Sequence, residues 1–377
     1  MNNIKVIIGN GFDLQCHLKT SYSDYFNYKY NDCGEVLSKW YTKFKDNVDN
    51  YLVGIREHLN RDNSWENLNN FDKYNTWDFF FWLYSPNYSG KDIKDICDIN
   101  WCDIEQAMLD SFDDNNNSKN IKFSEVYKVF NKECYLVDIK DDSKIIAAII
   151  SKRYGYNKKE FSNKYDFYKF LLDELKIFEK NFGEYIKKQS EDNNRKKDIK
   201  TLVSKLIDNN SLVEVNSFNY SDLYYEKFNS KLIHINGDIE LPIFGIDTND
   251  IDPKDDIYIF TKQYRRMEQI KKRNNKRSFN KNINEVIIYG CSLSRADYSY
   301  FFSLFDEVKL IDDSSNVNIV FAYSIYDKAK EEEIIKNLNR SISTLFFEYS
   351  KYKLNKSSSR LLEMLTFKNK VCIKEIE

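Results

Sequence analysis

The chain has 377 residues, of which 42% are hydrophobic and 16% are aromatic, and 57 basic residues nearly balance 59 acidic ones. This composition excludes a disordered protein, and the near-neutral charge gives no overall field that would attract nucleic acid or an anionic membrane. No apolar run approaches the ~18 residues of a transmembrane helix, and no signal-peptide pattern begins the chain, so we expect a cytoplasmic protein without membrane attachment. Seven cysteines without a CxxC pair predict neither a disulfide framework nor a metal site.

Short apolar runs predict buried strands that alternate with helices along the chain. Three of these strands end in a glycine or a small polar turn: Ile4 to Ile8 before Gly9, Leu212 to Phe218 before Asn219, and Val286 to Tyr289 before Gly290. A fourth strand from Val317 to Ala322 and a charged helix from about Tyr326 to Asn339 continue the alternation. The pattern is typical of an α/β fold with a parallel sheet.

Residues 31–204 have a helical pattern instead. It is clearest from Phe167 to Tyr185, where apolar residues recur every three or four positions and so form one face of a long helix. We therefore predict two parts. Residues 1–30 and 205–377 form an α/β core, and residues 31–204 form a helical insertion packed on it.

The first candidate site is the turn from Gly9 to Gly11, which continues to Asp13. In a parallel sheet, ligands bind at the carboxyl ends of the strands, where glycine permits close backbone approach and a helix start offers amides to phosphate. The complete dinucleotide fingerprint is absent, since Leu14 stands where its third glycine would be. A tight strand-to-helix turn capped by Asp13 explains the same residues, and the sequence leaves both interpretations open.

Two further segments have polar side chains at or after a strand. After the second strand come Asn219, Ser221 and Asp222; an asparagine there can orient a water or a sugar hydroxyl, but an Asx turn with Asp222 as N-cap explains the spacing equally well. In the next strand, His234 and Asn236 are two residues apart and would share one face at about 6–7 Å. His234 is a candidate general base, and a hydrogen-bonded core histidine is the alternative.

The turn at Gly290 repeats the order of strand, glycine and helix. Ser292 can bind phosphate or cap the helix, and Asp297 lies about one and a half turns further on. Two such turns in one chain predict an elongated ligand.

A basic stretch from Lys262 to Lys281 raises the question of nucleic-acid binding. Its charge is dense enough to neutralise several phosphates, but only Tyr264 and Phe279 are available for base stacking. A solvated helix end and loop is the more common origin of such a stretch, so we do not expect nucleic acid to be the partner.

The segments GNGFDL, TSYSDYF, FNYSD, HING with FGID, and GCSLSRADYSYF, in this order, resemble the bacterial abortive-infection family AbiH. The segment WCDIE, from Trp101 to Glu105, also resembles an element of that family. The family is in turn similar to sirtuin-like Rossmann domains. The resemblance implies a sirtuin-like Rossmann-type parallel sheet with a large helical insertion, a role as an antiviral effector, and NAD as substrate or ligand.

By the same resemblance, the implied reaction is hydrolysis of the bond between nicotinamide and ribose in NAD. Two residues would be catalytic: Asn219, beside the nicotinamide ribose, and His234, in the segment that ends at Gly237. The residues predicted to bind the cofactor are Gly9, Asn10, Gly11, Phe12, Asp13, Thr20, Ser21, Asp222, Asn236, Gly290, Ser292 and Asp297.

Three positions depart from the family pattern: the chain has Cys16, Asn236 and Cys291 where the family has histidine. His17 lies one position after Cys16. An amide cannot act as a base at neutral pH, so either His234 takes the proton or the chain binds a nucleotide without cleaving it. An NAD hydrolase, a non-catalytic NAD or ADP-ribose sensor or scaffold, and a nucleic-acid-binding defence protein all stay open. A phage-derived trigger, a partner defence protein and a homo-oligomer are each compatible with the sequence.

Overall fold

In the computed structural model of the chain, the structure is described for residues 3–30, 41, 45, 47–53, 74–84, 101–114, 121–131, 135–154, 161–191, 193–207, 211–221, 232–248, 251–273, 283–325, 328–355 and 360–376.

Within these residues, six strands form one sheet in which every pair is parallel. The strands are β1 (Asn3–Ile8), β2 (Leu212–Ser217), β3 (Leu232–His234), β4 (Glu285–Tyr289), β5 (Asn318–Tyr323) and β6 (Val371–Glu375). Their order across the sheet is β3-β2-β1-β4-β5-β6. The predicted α/β fold with a parallel sheet is confirmed, and the four strands predicted from apolar runs are β1, β2, β4 and β5.

The helices fall into two groups along the chain. Between β1 and β2 lie α1 (Asn10–Gln15), α2 (Tyr22–Tyr30), α3 (Thr76–Tyr84), α4 (Trp101–Phe112), α5 (Phe123–Asn131), α6 (Asp141–Tyr154), α7 (Lys164–Ser190) and α8 (Asn193–Leu206). After β3 come α9 (Lys262–Arg273), α10 (Tyr298–Glu307), α11 (Glu331–Leu354) and α12 (Arg360–Phe367). Short 3-10 helices occur at Leu136–Asp138, Asp256–Phe260, Arg295–Asp297 and Lys328–Lys330.

Two helix predictions have different outcomes. The long amphipathic helix predicted from Phe167 to Tyr185 is confirmed as α7, whose residues at that spacing are buried. The helix predicted from about Tyr326 to Asn339 begins later, as α11, and continues to Leu354. Its buried apolar residues are Ile342, Leu345, Phe346 and Tyr349, and all four lie beyond the predicted end.

Helices cover both faces of the sheet, because successive strand residues point to opposite sides. On one face, Ile7 and Ile288 share an apolar cluster with residues of α10, α11 and α12. On the other face, Val6 and Ile287 share a cluster with residues of α1 and α8. The sheet is therefore the middle of three layers.

The helices between β1 and β2 build a second apolar core around α7. Phe167, Leu171 and Phe178 of this helix are fully buried there, and burial of each such side chain contributes about 2 kcal/mol. Phe244 and Phe260, which follow β3 in the chain, belong to the same cluster and join it to the α/β part. The division into residues 31–204 and the rest stays a prediction; α8, mostly on the insertion side of that boundary, packs with β1.

The carboxyl ends of three strands lie at one level. Ile8 pairs in register with Ser217 of β2 on one side and with Tyr289 of β4 on the other. The strand order also reverses here, since the chain extends from β1 through β2 to β3 in one direction and from β4 to β6 in the other. Open α/β sheets bind ligands at such a reversal, outside the carboxyl ends of the strands.

No helix in the described parts of the chain combines the length and the apolar character needed to cross a membrane.

Candidate functional site

The turns after β1 and β4 are in direct backbone contact. The amide of Gly9 donates to the carbonyl oxygen of Tyr289 at 3.0 Å, and the amide of Gly11 donates to that of Gly290 at 2.8 Å. Gly290 has a φ of +69°, and a Cβ there would lie 2.4 Å from the nitrogen of Phe12. These positions require glycine because the two turns touch each other.

This contact uses amides that the sequence led us to expect at a phosphate. Besides the Gly11 amide, that of Phe12 donates to the carbonyl oxygen of Gly9 at 2.9 Å. The glycine turn therefore shapes the wall of a site without directing these two amides into it.

A cavity of about 370 Å³ lies where the turns after β1, β2 and β4 meet. This volume is within the range of about 300–1,000 Å³ that small-molecule sites occupy. Ten of the fourteen predicted site residues line it: Gly9, Asn10, Gly11, Asp13, Thr20, Asn219, Asn236, Gly290, Ser292 and Asp297. It is also lined by Glu105, Ile186, Phe218, Tyr220, Ser221, Lys262, Cys291 and Ser294. We call it the main cavity.

Asp13 is a fully buried carboxylate in the wall of the main cavity. Its Oδ1 accepts a hydrogen bond from Asn219 Nδ2 at 2.8 Å, and its Oδ2 accepts one from the Ser221 hydroxyl at 2.8 Å. Burial raises the pKa of Asp13 to about 6, although these hydrogen bonds oppose the rise. A carboxyl of this pKa is largely ionised at neutral pH and can take up a proton, which is what a general base requires.

Asn219 is held in one orientation. Its Nδ2 donates to Asp13 and also to the carbonyl oxygen of Gly9, at 3.0 Å, so both amide hydrogens are used. The side-chain oxygen is then the polar atom left to accept a hydrogen bond in the cavity. Thr20 Oγ1 fixes Asn10 in the same way, because it donates to Asn10 Oδ1 at 2.9 Å and leaves that amide nitrogen as a donor.

A buried ion cluster forms another part of the cavity wall. The Lys262 ammonium lies 2.8 Å from Glu105 Oε1 and 2.8 Å from Asp297 Oδ1. Burial raises the pKa of Glu105 to about 7 despite the lysine beside it. Three elements distant in sequence meet here, since Glu105 comes from α4, Lys262 from α9 and Asp297 from the 3-10 helix before α10.

Sequence reasoning did not assign Glu105 or Lys262 to the site. The signal for Glu105 is its place in the segment WCDIE, whose resemblance to a family element does not by itself imply a role. For Lys262 there was no signal beyond membership of a basic stretch, where a buried and paired lysine is not distinguishable from a solvated one.

His234 does not line the main cavity. It is half-buried, and its Nδ1 lies 2.9 Å from the carbonyl oxygen of Asn219; because a carbonyl can only accept, Nδ1 donates. The expectation that His234 and Asn236 share a strand face is wrong, because β3 ends at His234. Asn236 does line the cavity, where its Oδ1 accepts from Arg266 at 2.8 Å.

Two other predicted residues, Phe12 and Ser21, are not in the cavity lining. Phe12 is buried beneath the turn in the cluster with β1, 6.1 Å from the ring of Tyr289. Ser21 caps α2, since its hydroxyl accepts from the amide of Asp24, whose carboxylate accepts from the amide of Ser21. Asp222 lies outside the described residues.

The cysteines at positions where histidine was expected are not poised to react. Burial raises the pKa of Cys16 to about 12, and burial also raises the pKa of Cys291 well above its ordinary value. Both are neutral thiols at physiological pH. His17, next to Cys16, is exposed and is not part of the cavity lining.

Three basic side chains of the stretch contact other parts of the protein. Lys262 belongs to the ion cluster, Arg265 pairs with buried Glu179 at 2.7 Å, and Arg266 donates to the carbonyl oxygen of Ile235 at 3.0 Å. The side chains of Lys271, Lys272 and Arg273, and all of residues 274–281, lie outside the described part. These contacts give no support to a nucleic-acid surface built on the described basic residues.

A second cavity of about 250 Å³ lies on the other side of the Gly290 turn, at the ends of β4 and β5. Its lining includes Gln15, Tyr289, Leu293, Phe321, Tyr323, Ser324, Ile334 and Leu338, and it shares Gly11, Gly290 and Cys291 with the main cavity. None of its described lining residues is charged. Nowhere among the described residues do three His, Cys, Asp or Glu side chains lie together as a metal site would require.

Comparison with known proteins gives one match. A sequence model of the family described as bacteriophage abortive infection AbiH matches residues 6–323, which include the second half of β1, all of β2 to β5 and every residue assigned to the main cavity. No curated protein and no solved structure matches the chain.

Proposed function

The chain belongs to the bacteriophage abortive infection AbiH family, and from that premise we propose that it is a defence effector whose main cavity binds and hydrolyses NAD. Membership of the family indicates a role in abortive infection. The observation that carries the proposal of an NAD site is Asp13, a buried carboxylate of raised pKa, oriented by two hydrogen bonds in the wall of a cavity.

The strand order supports a dinucleotide as the ligand. The order β3-β2-β1-β4-β5-β6 is the one found in doubly wound sheets that bind dinucleotides across the crevice where the order reverses. That this sheet is the sirtuin-like form of the fold is part of our proposal.

The two cavities support an elongated ligand of the same kind. They lie side by side at the reversal, separated by the turn at Gly290. We assign the nicotinamide riboside half of NAD to the polar main cavity and the adenosine half to the second cavity, which has Tyr289 and Tyr323 in its wall. The pyrophosphate would then cross the shared wall, near the side chains of Asn10 and Ser292.

In the proposed reaction, a water attacks C1′ of the nicotinamide ribose. The Asp13 carboxylate accepts a proton from this water as the new C1′–O bond forms. The bond between C1′ and the ring nitrogen breaks, and its electron pair goes to the ring, which leaves as neutral nicotinamide. The Asn219 side-chain oxygen accepts a hydrogen bond from the water or a ribose hydroxyl, and the products are nicotinamide, ADP-ribose and one proton.

The test is release of nicotinamide from NAD by the purified full-length chain, measured with and without lysate of phage-infected cells. A general base contributes roughly 10²–10⁴-fold, so Asp13→Asn should lose at least about 100-fold in rate. His234→Gln is the matched control, because it changes the other candidate base outside the cavity lining. Release that depends on His234 and not on Asp13 would contradict the proposed mechanism.

The non-catalytic sensor is distinguished in the same experiment. If NAD or ADP-ribose binds but no condition releases nicotinamide, the proposed binding site stands and the proposed hydrolase activity is rejected. Absence of both binding and release would reject the NAD site as a whole.

A further inference from the structure

The charged side chains of the main cavity are mostly acidic. Within the described part of the chain, Asp13, Glu105 and Asp297 line it as carboxylates and Lys262 as the one cation. With all four ionised, the lining has a net negative charge. Arg266 lies behind Asn236, where it donates to backbone and amide oxygens of the protein itself.

Lys262 does not offer its charge to a ligand. Its Nζ lies 2.9 Å from Glu105 Oε2, 2.8 Å from Asp297 Oδ1 and 3.2 Å from the carbonyl oxygen of Ala296. An ammonium has three hydrogens, and three acceptors of the protein take them. A phosphate would therefore meet carboxylates here rather than a free lysine.

Burial, rather than neighbouring charge, is the main cause of the raised pKa values of these carboxyls. Burial raises the pKa of Asp13 to about 6, and the hydrogen bonds from Ser221 and Asn219 oppose this rise. Burial raises the pKa of Glu105 to about 7; Lys262 opposes the rise, while Asp297 and Asp247 add to it. A cation in the cavity would favour the ionised form of both carboxyls.

One neutral side chain, that of Asn219, also indicates which kind of ligand the cavity suits. Asn219 is 5% exposed, and its two amide hydrogens are used within the protein. Its side-chain oxygen is a fixed acceptor in the cavity wall, and no described residue donates a hydrogen bond to it. The wall is thus built from acceptors and negative charge, which suits a cationic ligand that carries hydrogen-bond donors.

We propose that the main cavity selects the positively charged nicotinamide riboside unit of oxidised NAD and discriminates against neutral and anionic ligands, including reduced NAD and ADP-ribose. This inference rests on the proposed function and specifies the substrate of the same site. The phosphates of NAD lie outside the acidic wall, toward the second cavity, whose described lining is uncharged. Cleavage turns the cationic ring into neutral nicotinamide, so the attraction is lost when the products form.

The test is calorimetric titration of the full-length chain with two stable ligands that differ in charge. Carbocyclic nicotinamide riboside is cationic and cannot be hydrolysed, whereas the carbocyclic analogue of benzamide riboside is its neutral isostere. At pH 8 the cation should bind at least about tenfold more tightly, because a unit charge interacts with nearby carboxylates at an effective dielectric constant of about 20. At pH 5, where Asp13 and Glu105 are protonated, this preference should fall toward one.

A pair of variants isolates the charge. Glu105→Gln keeps an acceptor for Lys262 and removes one negative charge, so the preference for the cation at pH 8 should fall severalfold. Glu363→Gln makes the same change at an exposed residue of α12, which does not line the cavity, and should leave the preference unchanged. Equal affinity of the two ribosides for the unmodified chain at pH 8 would overturn the charge selection while NAD binding stands. Binding of neither riboside, with no NAD binding, would overturn this inference and the proposed function together.

Discussion

Replacement of Asp13 by asparagine should stabilise the protein while it removes the proposed activity. Burial raises the pKa of this carboxyl from 3.8 to about 6. Above pH 6 the folded protein therefore holds an ionised carboxylate that its surroundings disfavour, whereas the unfolded chain ionises at the ordinary value. The difference corresponds to roughly 3 kcal/mol in the free energy of unfolding. Asparagine has nearly the same size and no charge, so the variant avoids this cost.

The size of this stabilisation depends on pH. Between about pH 4 and pH 6 the folded protein keeps a proton that the unfolded chain has released, so this group's contribution to stability falls as the pH rises. Above pH 6 the cost is constant. The free energy of unfolding of Asp13→Asn should therefore exceed that of the unmodified protein by up to about 3 kcal/mol at pH 8 and by about 1 kcal/mol at pH 4.5.

The assay is urea unfolding followed by tryptophan fluorescence at both pH values. Asp173→Asn is the matched control, since that side chain is 62% exposed and the same substitution there should change stability by no more than about 0.5 kcal/mol at either pH. A variant at Asp13 that is less stable than the unmodified protein by the same amount at both pH values would refute the reasoning. In that case the carboxylate would stabilise the fold through its hydrogen bonds.

Three other changes test single contacts of the site. Gly290→Ala should lower stability by about 2 kcal/mol or more and abolish NAD binding, because φ is +69° and a Cβ would meet the nitrogen of Phe12; thermal unfolding and a binding isotherm measure this. His234→Gln should retain NAD hydrolysis within about threefold in a rate assay, since this side chain touches the carbonyl of Asn219 and lies outside the cavity lining. Ser221→Ala removes a donor to Asp13 and should move the acidic limb of the pH–rate profile upward by about one pH unit.

The central strands could be predicted because they are buried on both faces. β1, β2, β4 and β5 are rich in Val, Ile, Leu or Phe and end in turns, and the sheet buries most of these apolar residues. β6 was not predicted, because it is an edge strand in which one residue, Val371, is buried and the next four are exposed. Such a strand has no continuous apolar run, so its pairing with β5 follows from the assembled sheet.

The site was partly predictable for a related reason. Gly9, Asp13, Asn219 and Gly290 follow directly from strand ends, and parallel strands bring their carboxyl ends to one edge. Glu105 and Lys262 reach the cavity from helices that are far away in sequence, and local pattern carries no information on that packing.

The role of His234 depended on a boundary that sequence does not define. A strand that continued to Asn236 would have placed both side chains on one face, but β3 ends at His234 and the chain turns. Because β3 ends at His234, the candidate general base in the main cavity is Asp13 and not His234.

The most direct measurement is a crystal structure of Asp13→Asn with NAD bound, since the variant should bind the intact substrate without cleaving it. We expect the nicotinamide ribose against residue 13 and Asn219, the ring toward Glu105, and the adenosine in the second cavity beyond Gly290. NAD bound with its adenosine in the main cavity, or bound elsewhere on the protein, would contradict the account.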